Sequence, residues 1–303
     1  MSLRLAIGKA LARGLMKPAM RRQSTAGQAR VAMEWGARAF LRDPPGTRAE
    51  PWGDGGLRLA CGRRAARGVI LYLHGGGYIA GSPATHRAML ARLSARTGLP
   101  AVLPAYPLAP EHPAPAAFEA ARAAFDRLLD EGHAPGGIVL GGDSAGGGLA
   151  LALLSDLCRA GLPPRAAFAL SPWTDMTLSG ASLAGNARAD PLLPVERIEE
   201  LRGMVLGGLG PDDPRVSPLF AAFPGCPPVF LQAAATEILR DDTLRMADRL
   251  RDEGGQVAVD LWPDGIHAWP LAGRWLPEAG QALDRIADFL RPLMPPPARR
   301  GES

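Results

Sequence analysis

Apolar residues in this chain come in short continuous runs separated by helical patterns and turn residues. Gly68-Val-Ile-Leu-Tyr-Leu73 is such a run, rich in β-formers and followed at once by glycines. Runs of this kind read as strands buried on both faces. Leu99 to Leu103 is a second strand, weakened by Pro100, and Ile138-Val-Leu140, Ala166–Leu170, Val229–Ala233 and Val257–Leu261 continue the series. Helical patterns lie between them. Thr85 to Thr97 is one, stopped by Gly98. Ala116 to Asp130 is another, with Phe118, Ala121, Phe125, Leu128 and Leu129 on one face. Leu149–Arg159, Asp242–Glu253 and Gln281–Leu290 complete the set. Strand–helix–strand alternation from Gly68 to Leu290 predicts an α/β fold with a mostly parallel sheet covered by helices on both faces.

One connection is out of proportion. Pro172 to Pro228 is 57 residues between consecutive strands, where a crossover needs only a dozen or two. It holds a helical pattern at Pro194–Leu206 and reads as an insertion over one end of the sheet. Ligands bind at the carboxyl ends of such strands, so the insertion would roof a site. Before the first strand, Leu3, Ile7, Leu11 and Leu15 recur every four residues. That spacing predicts an amphipathic helix with its apolar face packed on the protein's own body. A transit peptide and a membrane-surface helix are the other readings. Pro292 to Ser303 reads as a loose Pro-rich tail.

Composition narrows the class. The 303 residues are 47% hydrophobic and 21% charged, a globular mix. No apolar run approaches the ~18 residues of a membrane span. Cys61, Cys158 and Cys226 form no CxxC pair, which argues against a disulfide framework or zinc site and suits the cytoplasm. Cys158, on an apolar helix, reads as core. The net charge of +4 hides an asymmetry. Residues 1–42 carry nine Lys/Arg against Glu34 alone, a net of +8, so the rest sums to −4. A uniformly basic nucleic-acid surface is thereby excluded, and the composition predicts no patch for a lipid interface. No stable membrane insertion is expected, and a homodimer stays open.

The chemistry lies in the turns. Gly142-Asp143-Ser144-Ala145-Gly146 is G-x-S-x-G between a strand and a helix, the context of a nucleophile elbow. His74-Gly75-Gly76-Gly77 follows an earlier strand, where the elbow mechanism takes oxyanion donors together with the N–H of the residue after the serine, Ala145. A hydroxyl needs a base. In elbow hydrolases the chain order is serine, acid, histidine, and of the five histidines only His267 lies beyond Ser144. The acid is expected after Val229–Ala233. Glu237 is the first carboxylate there, and Asp241, Asp242 and Asp264 are the alternatives. Asp241 and Asp242 could instead cap the following helix. Tyr78 and Trp269 flank the motifs as candidate walls of an acyl pocket.

At this point the chain resembles the hormone-sensitive-lipase-like (bacterial family IV) esterases of the α/β-hydrolase fold. The resemblance rests on His74–Gly77 with Tyr78 after it, Gly142–Gly147, Tyr106-Pro-Leu-Ala-Pro-Glu-His-Pro113, Ser171-Pro-Trp173 and Asp213-Pro-Arg-Val-Ser-Pro-Leu219, in the family's order over about two thirds of the chain. It implies that the acid is Glu237, the first residue of Glu237-Ile-Leu-Arg-Asp241-Asp242, where the family often has D-P-L-R-D-E. The usual D-Y-R is here Ala105-Tyr106-Pro107, which puts the support of that loop in question, and H-G-F is His267-Ala268-Trp269. The resemblance further implies a core of about 46–175 and 220–295 under a helical cap made of 1–45 and 176–219. The expected activity is hydrolysis of short-chain carboxylic esters by Ser144, His267 and Glu237, with no metal and no cofactor. Amide hydrolysis, acyl transfer and a non-catalytic ligand receptor are the alternatives. Such receptors lack the histidine that His267 supplies here.

Overall fold

The fold is taken from a computed structural model that describes residues 2–63 and 67–294. From the amino end come α1 (Leu3–Leu11), a π-helical turn (Ala12–Met16), α2 (Lys17–Arg22) and α3 (Ala26–Phe40). A hairpin follows, β1 (Thr47–Trp52) and β2 (Gly56–Cys61). The alternating part then runs β3 (Val69–Leu73), α4 (Pro83–Thr97), β4 (Ala101–Leu103), α5 (Ala116–Asp130), β5 (Ile138–Asp143), α6 (Ser144–Arg159) and β6 (Ala166–Leu170). The long connection holds α7 (Ser182–Gly185) and α8 (Ile198–Leu206), and the chain closes with β7 (Val229–Ala234), α9 (Arg240–Asp252), β8 (Val257–Trp262) and α10 (Pro277–Leu290).

The strands form one eight-stranded sheet in the order β1-β2-β4-β3-β5-β6-β7-β8, parallel from β4 to β8. This is the α/β-hydrolase fold. Every residue of β3, β5, β6 and β7 is buried, as their largely apolar sequences require, with Asp143 and Gln232 the polar exceptions. Pro100 does not extend β4, because it has no N–H to give, but its carbonyl accepts from Ile70 N at 2.9 Å. Two apolar cores fill the faces of the sheet, one around Phe125, Leu151 and Phe223 and one around Tyr72, Leu90 and Phe168.

Four points depart from the sequence reading. The hairpin β1–β2 was not expected; its turn is Gly53-Asp54-Gly55, where both glycines take positive φ. The face of α1 that carries Leu3, Ile7 and Leu11 does not pack on the body. Those side chains are exposed, and Leu5 and Ala12 face inward instead. The exposed stripe is also an apolar surface patch where the composition predicts none. Finally, the Pro-rich end is not loose from Pro292, since Arg291–Leu293 is a helical turn and Leu293 and Met294 pack on the core. Residues 295–303 of that expected tail lie outside the described residues.

Candidate active site

Sheet register gathers the predicted residues at one edge. Leu73 pairs with Gly142, Asp143 with Leu170, Leu170 with Gln232 and Ala234 with Trp262. The loops after β3, β5, β6, β7 and β8 therefore start level with one another. The chain reverses its direction of travel across the sheet at β3 and β5, and such a switch opens a crevice at the strand ends.

Ser144 heads α6 with φ +54°, the strained turn of an elbow. Two glycines permit it. A Cβ on Gly142 would lie 2.2 Å from Gly146 O, and one on Gly146 would lie 2.2 Å from Leu73 O. The positive end of the α6 dipole points at the hydroxyl's surroundings.

Glu237 is fully buried. Its Oε2 lies 2.7 Å from His267 Nδ1, and its Oε1 accepts from Ala234 N at 2.7 Å and from Ser171 Oγ at 2.9 Å. Ser171 in turn accepts from Ala268 N at 3.2 Å, beside the histidine. Burial acts to lower the His267 pKa, but the Glu237 hydrogen bond and the charges of Glu237, Asp190 and Asp143 outweigh it and hold the pKa above 6.5. His267 Nε2 is buried and has no partner among the described residues.

The rival carboxylates are engaged elsewhere. Asp241 Oδ2 accepts from Ser182 N at 2.8 Å. Asp242 Oδ2 accepts from Thr174 N at 2.8 Å and Asp175 N at 3.0 Å. Neither caps a helix, because α9 already starts at Arg240; both tie α9 to the insertion. Asp264 pairs with Lys9.

The glycine loop rests on a buried polar pillar. Asp143 Oδ1 accepts from Tyr72 OH and from Gly75 N, both at 2.9 Å, and His86 Nε2 lies 3.1 Å from it. Burial would raise the Asp143 pKa, yet His86 and these donors keep it below the ordinary carboxylate value. Gly75 is thus a correction: its N–H is already bound to Asp143, leaving Gly76, Gly77 and Ala145 of the four expected donors. The Ala105-Tyr106-Pro107 departure does not unseat the loop, for Tyr106 stacks on His74 at 4.3 Å and donates to His74 O at 2.6 Å. Burial and neighbouring His86 push the His74 pKa down to about 3, so this ring is neutral.

The aromatic neighbours divide. Tyr78 borders a narrow crevice with Phe118, Leu149, Val205 and Val216. Trp269 does not line that crevice. It is buried with Leu5, Leu276 and Ala279 and lies against Trp262, ring centroids 5.3 Å apart. Its place is structural, under α1.

The insertion supplies residues that the motifs did not reveal. Asn186 Nδ2 donates to Ala235 O at 2.9 Å and to Glu237 O at 2.7 Å. Asp190, fully buried, accepts from Ile238 N at 2.9 Å through one oxygen and from Leu192 N and Leu193 N through the other. Lys17 of α2 donates to Asp190 O at 2.8 Å. A Cβ on Gly77 would lie 2.9 Å from Leu201 Cδ2, so α8 sits directly over the glycine loop.

Comparison with known proteins agrees with this geometry. A family profile described as "alpha/beta hydrolase fold" matches residues 70–271. The chain is 38% identical over 224 residues to an acetyl-hydrolase of Streptomyces hygroscopicus, covering 74% of this chain and 75% of that one. It is 37% identical to an esterase of Acinetobacter venetianus, covering 76% of each. Among solved structures, an esterase from the bacterial hormone-sensitive lipase family superposes with a TM-score of 0.90 at 36% identity, covering 97% of this chain and 99% of that one. An esterase crystal soaked with p-nitrophenyl butyrate superposes with a TM-score of 0.91 at 34% identity, with the same coverage. The chain therefore belongs to the hormone-sensitive-lipase family of α/β-hydrolase-fold esterases, the carboxylic ester hydrolases.

Proposed function

We propose that this protein hydrolyses short-chain acyl esters through Ser144, His267 and Glu237. The observation that carries the reading is the 2.7 Å contact from Glu237 Oε2 to His267 Nδ1, with Nε2 of the same ring left without a partner among the described residues. A ring so held keeps its proton on Nδ1 and offers Nε2 as the base. Ser144 Oγ attacks the ester carbonyl carbon as its proton passes to Nε2. The oxyanion is held by N–H groups of Gly76, Gly77 and Ala145. The carbon–alkoxide bond breaks, and the alcohol leaves with the proton from Nε2. Water then attacks the acyl carbon, giving a proton to Nε2, and the carboxylic acid departs as that proton returns to Ser144. The Glu237 carboxylate, in contact with Nδ1, favours the imidazolium formed at each step.

The N-terminal helices of residues 1–45 and the insertion of 176–219 act as the cap over this chemistry, on the core of 46–175 and 220–295. In support, Arg197 of the insertion donates to the carbonyls of Arg21 and Gln23, and Leu201 overlies Gly77. A roof so close, with the narrow crevice beside Tyr78, favours acyl chains of about two to eight carbons. The butyrate ester in the related crystal fits that size class. The free cysteines suit the cytoplasm. The test is a rate series on nitrophenyl esters from acetyl to palmitoyl. Turnover should peak at the short end; faster turnover of emulsified long-chain triglyceride than of soluble butyrate esters refutes the size reading.

A further inference from the structure

The outer face of the first helix takes no part in the reaction. Leu3, Ile7 and Leu11 stand four residues apart on it, and Leu15 and Met16 follow in the π turn; all are more than half exposed, Leu3 at 76% and Leu15 at 65%. Among the described residues, eight of the eleven exposed large hydrophobic side chains lie between Leu3 and Phe40, Trp35 at 68% included. The same segment is basic. Residues 1–22 carry Arg4, Lys9, Arg13, Lys17, Arg21 and Arg22 and no acid. Arg4, Arg13, Arg21 and Arg22 are exposed, Arg13 with a hydrogen bond to Ala189 O at 2.9 Å and Arg21 paired with Glu196, so that Arg4, Arg13 and Arg22 carry the uncompensated charge of the face.

An exposed apolar stripe bordered by arginines has the make-up of a helix that lies in a membrane interface. A second copy of the chain is the poorer occupant. A two-fold contact sets the same patch against itself, so the basic segments would face each other. A surface of anionic headgroups reverses that sign and attracts each basic side chain. The inner side of the helix stays on the body, with Ser2 bound to Glu278, Lys9 paired with Asp264, and Gly8 against Ile266 and Leu276. The helix can therefore rest on a bilayer without leaving the fold.

We propose that the N-terminal helix docks the protein reversibly on an anionic lipid surface, with Leu3, Ile7, Leu11, Leu15 and Met16 at the acyl boundary and the exposed arginines on lipid phosphates. The proposal is independent of the ester chemistry, because its readout is binding alone. The test is co-sedimentation of the full chain with vesicles of phosphatidylcholine alone and of phosphatidylcholine mixed with phosphatidylglycerol. Binding is expected to the mixed vesicles, and raising the salt to ~0.5 M should weaken it roughly tenfold. The double variant Ile7→Glu/Leu11→Glu should bind the mixed vesicles at least about tenfold more weakly at an unchanged melting temperature. The comparison of two vesicle types and two salts needs no variant. Failure to bind the mixed vesicles, equal binding to neutral ones, insensitivity to salt, undiminished binding by the double variant, or a dimer in solution that the double variant dissolves would each overturn the proposal.

Discussion

Glu237→Gln is the most revealing single change, because the surroundings dictate how the amide must sit. The Oε1 position faces Ala234 N–H at 2.7 Å, a backbone donor that cannot turn away. Only the amide oxygen satisfies it. The amide NH2 must then occupy the Oε2 position, 2.7 Å from His267 Nδ1. Two donors cannot share that contact, so the ring gives up the Nδ1 proton and carries it on Nε2. The base is lost though every atom keeps its place. The flipped amide is no better, for its NH2 would then oppose Ala234 N–H. We expect kcat to fall by roughly two to four orders of magnitude, about 3–5 kcal/mol of barrier. Glu237→Asp keeps the charge on a shorter arm and should retain more activity than the glutamine variant. The assay is kcat on a soluble butyrate ester at one pH, with thermal melts to confirm folding and Asp241→Asn beside them. Near-parental activity of Glu237→Gln with a dead Asp241→Asn refutes the reasoning and moves the acid to Asp241.

The other expectations are compact. Ser144→Ala should remove ester hydrolysis while the protein stays folded, leaving only residual catalysis from binding and oxyanion donors; an organophosphate should label the parent once, on the tryptic peptide that holds Ser144, and a label elsewhere contradicts the assignment. The base must be neutral, and the His267 pKa is held above 6.5, so kcat/KM should rise with pH through a midpoint above 6.5; in Glu237→Gln the main opposition to burial is lost, with only the charges of Asp190 and Asp143 remaining, and the residual activity should show that midpoint at lower pH. The same shift makes the His267 contribution to stability fully present below 6.5 and lost as pH rises through the folded pKa. Asp242 is pushed up to about 7, first by burial and also by the charge of Asp175, so its folded form favours the proton. Relative to Asp242→Asn, the parent should lose stability between about pH 4 and pH 7, read by denaturant midpoints; a difference that does not vary with pH would contradict this. Asp190→Ala leaves the N–H groups of Ile238, Leu192 and Leu193 without their acceptor and should cost on the order of 2–3 kcal/mol, read by chemical denaturation.

What the sequence discloses depends on how local the cause is. The strands β3 and β5 to β7 and the helix α5 are legible because burial writes an apolar pattern into them, whereas β8 is legible from its β-forming residues although none of them is fully buried. The hairpin β1–β2 is not, since β1 is mostly exposed at the sheet edge and has no alternation to read; its turn glycines were the available signal. Ser144 and His267 are singled out by a motif plus chain order, while Glu237 remains one of four carboxylates until the family resemblance points to it; its contact with His267 Nδ1 is visible only in the fold. Which glycine N–H is free does not, because Asp143 settles it from the neighbouring strand. The direction of the α1 stripe was misread for a related reason. A four-residue period fixes that a face exists, but what lies beneath the helix decides which face is buried, and here Leu5 and Ala12 meet the body.

The insertion also holds the loop that carries Glu237. Glu237 lies past the end of β7, where strand pairing no longer fixes the backbone. Its loop is fixed instead from the side, with Asn186 on the carbonyls of Ala235 and Glu237, Asp190 on Ile238 N, and Ser182 on Ile238 O. Lys17 joins the N-terminal helices to the same set through the backbone of Asp190. A carboxylate that must stay within hydrogen-bond reach of an imidazole tolerates only a few tenths of an ångström of drift. Movement of the roof relative to the sheet would pull on the backbone that carries Glu237 before it touched Ser144, which sits on the rigid junction of β5 and α6. Ser144 is thus secured by the sheet and Glu237 by the insertion, and in the proposed mechanism the geometry between them depends on how the two parts are seated.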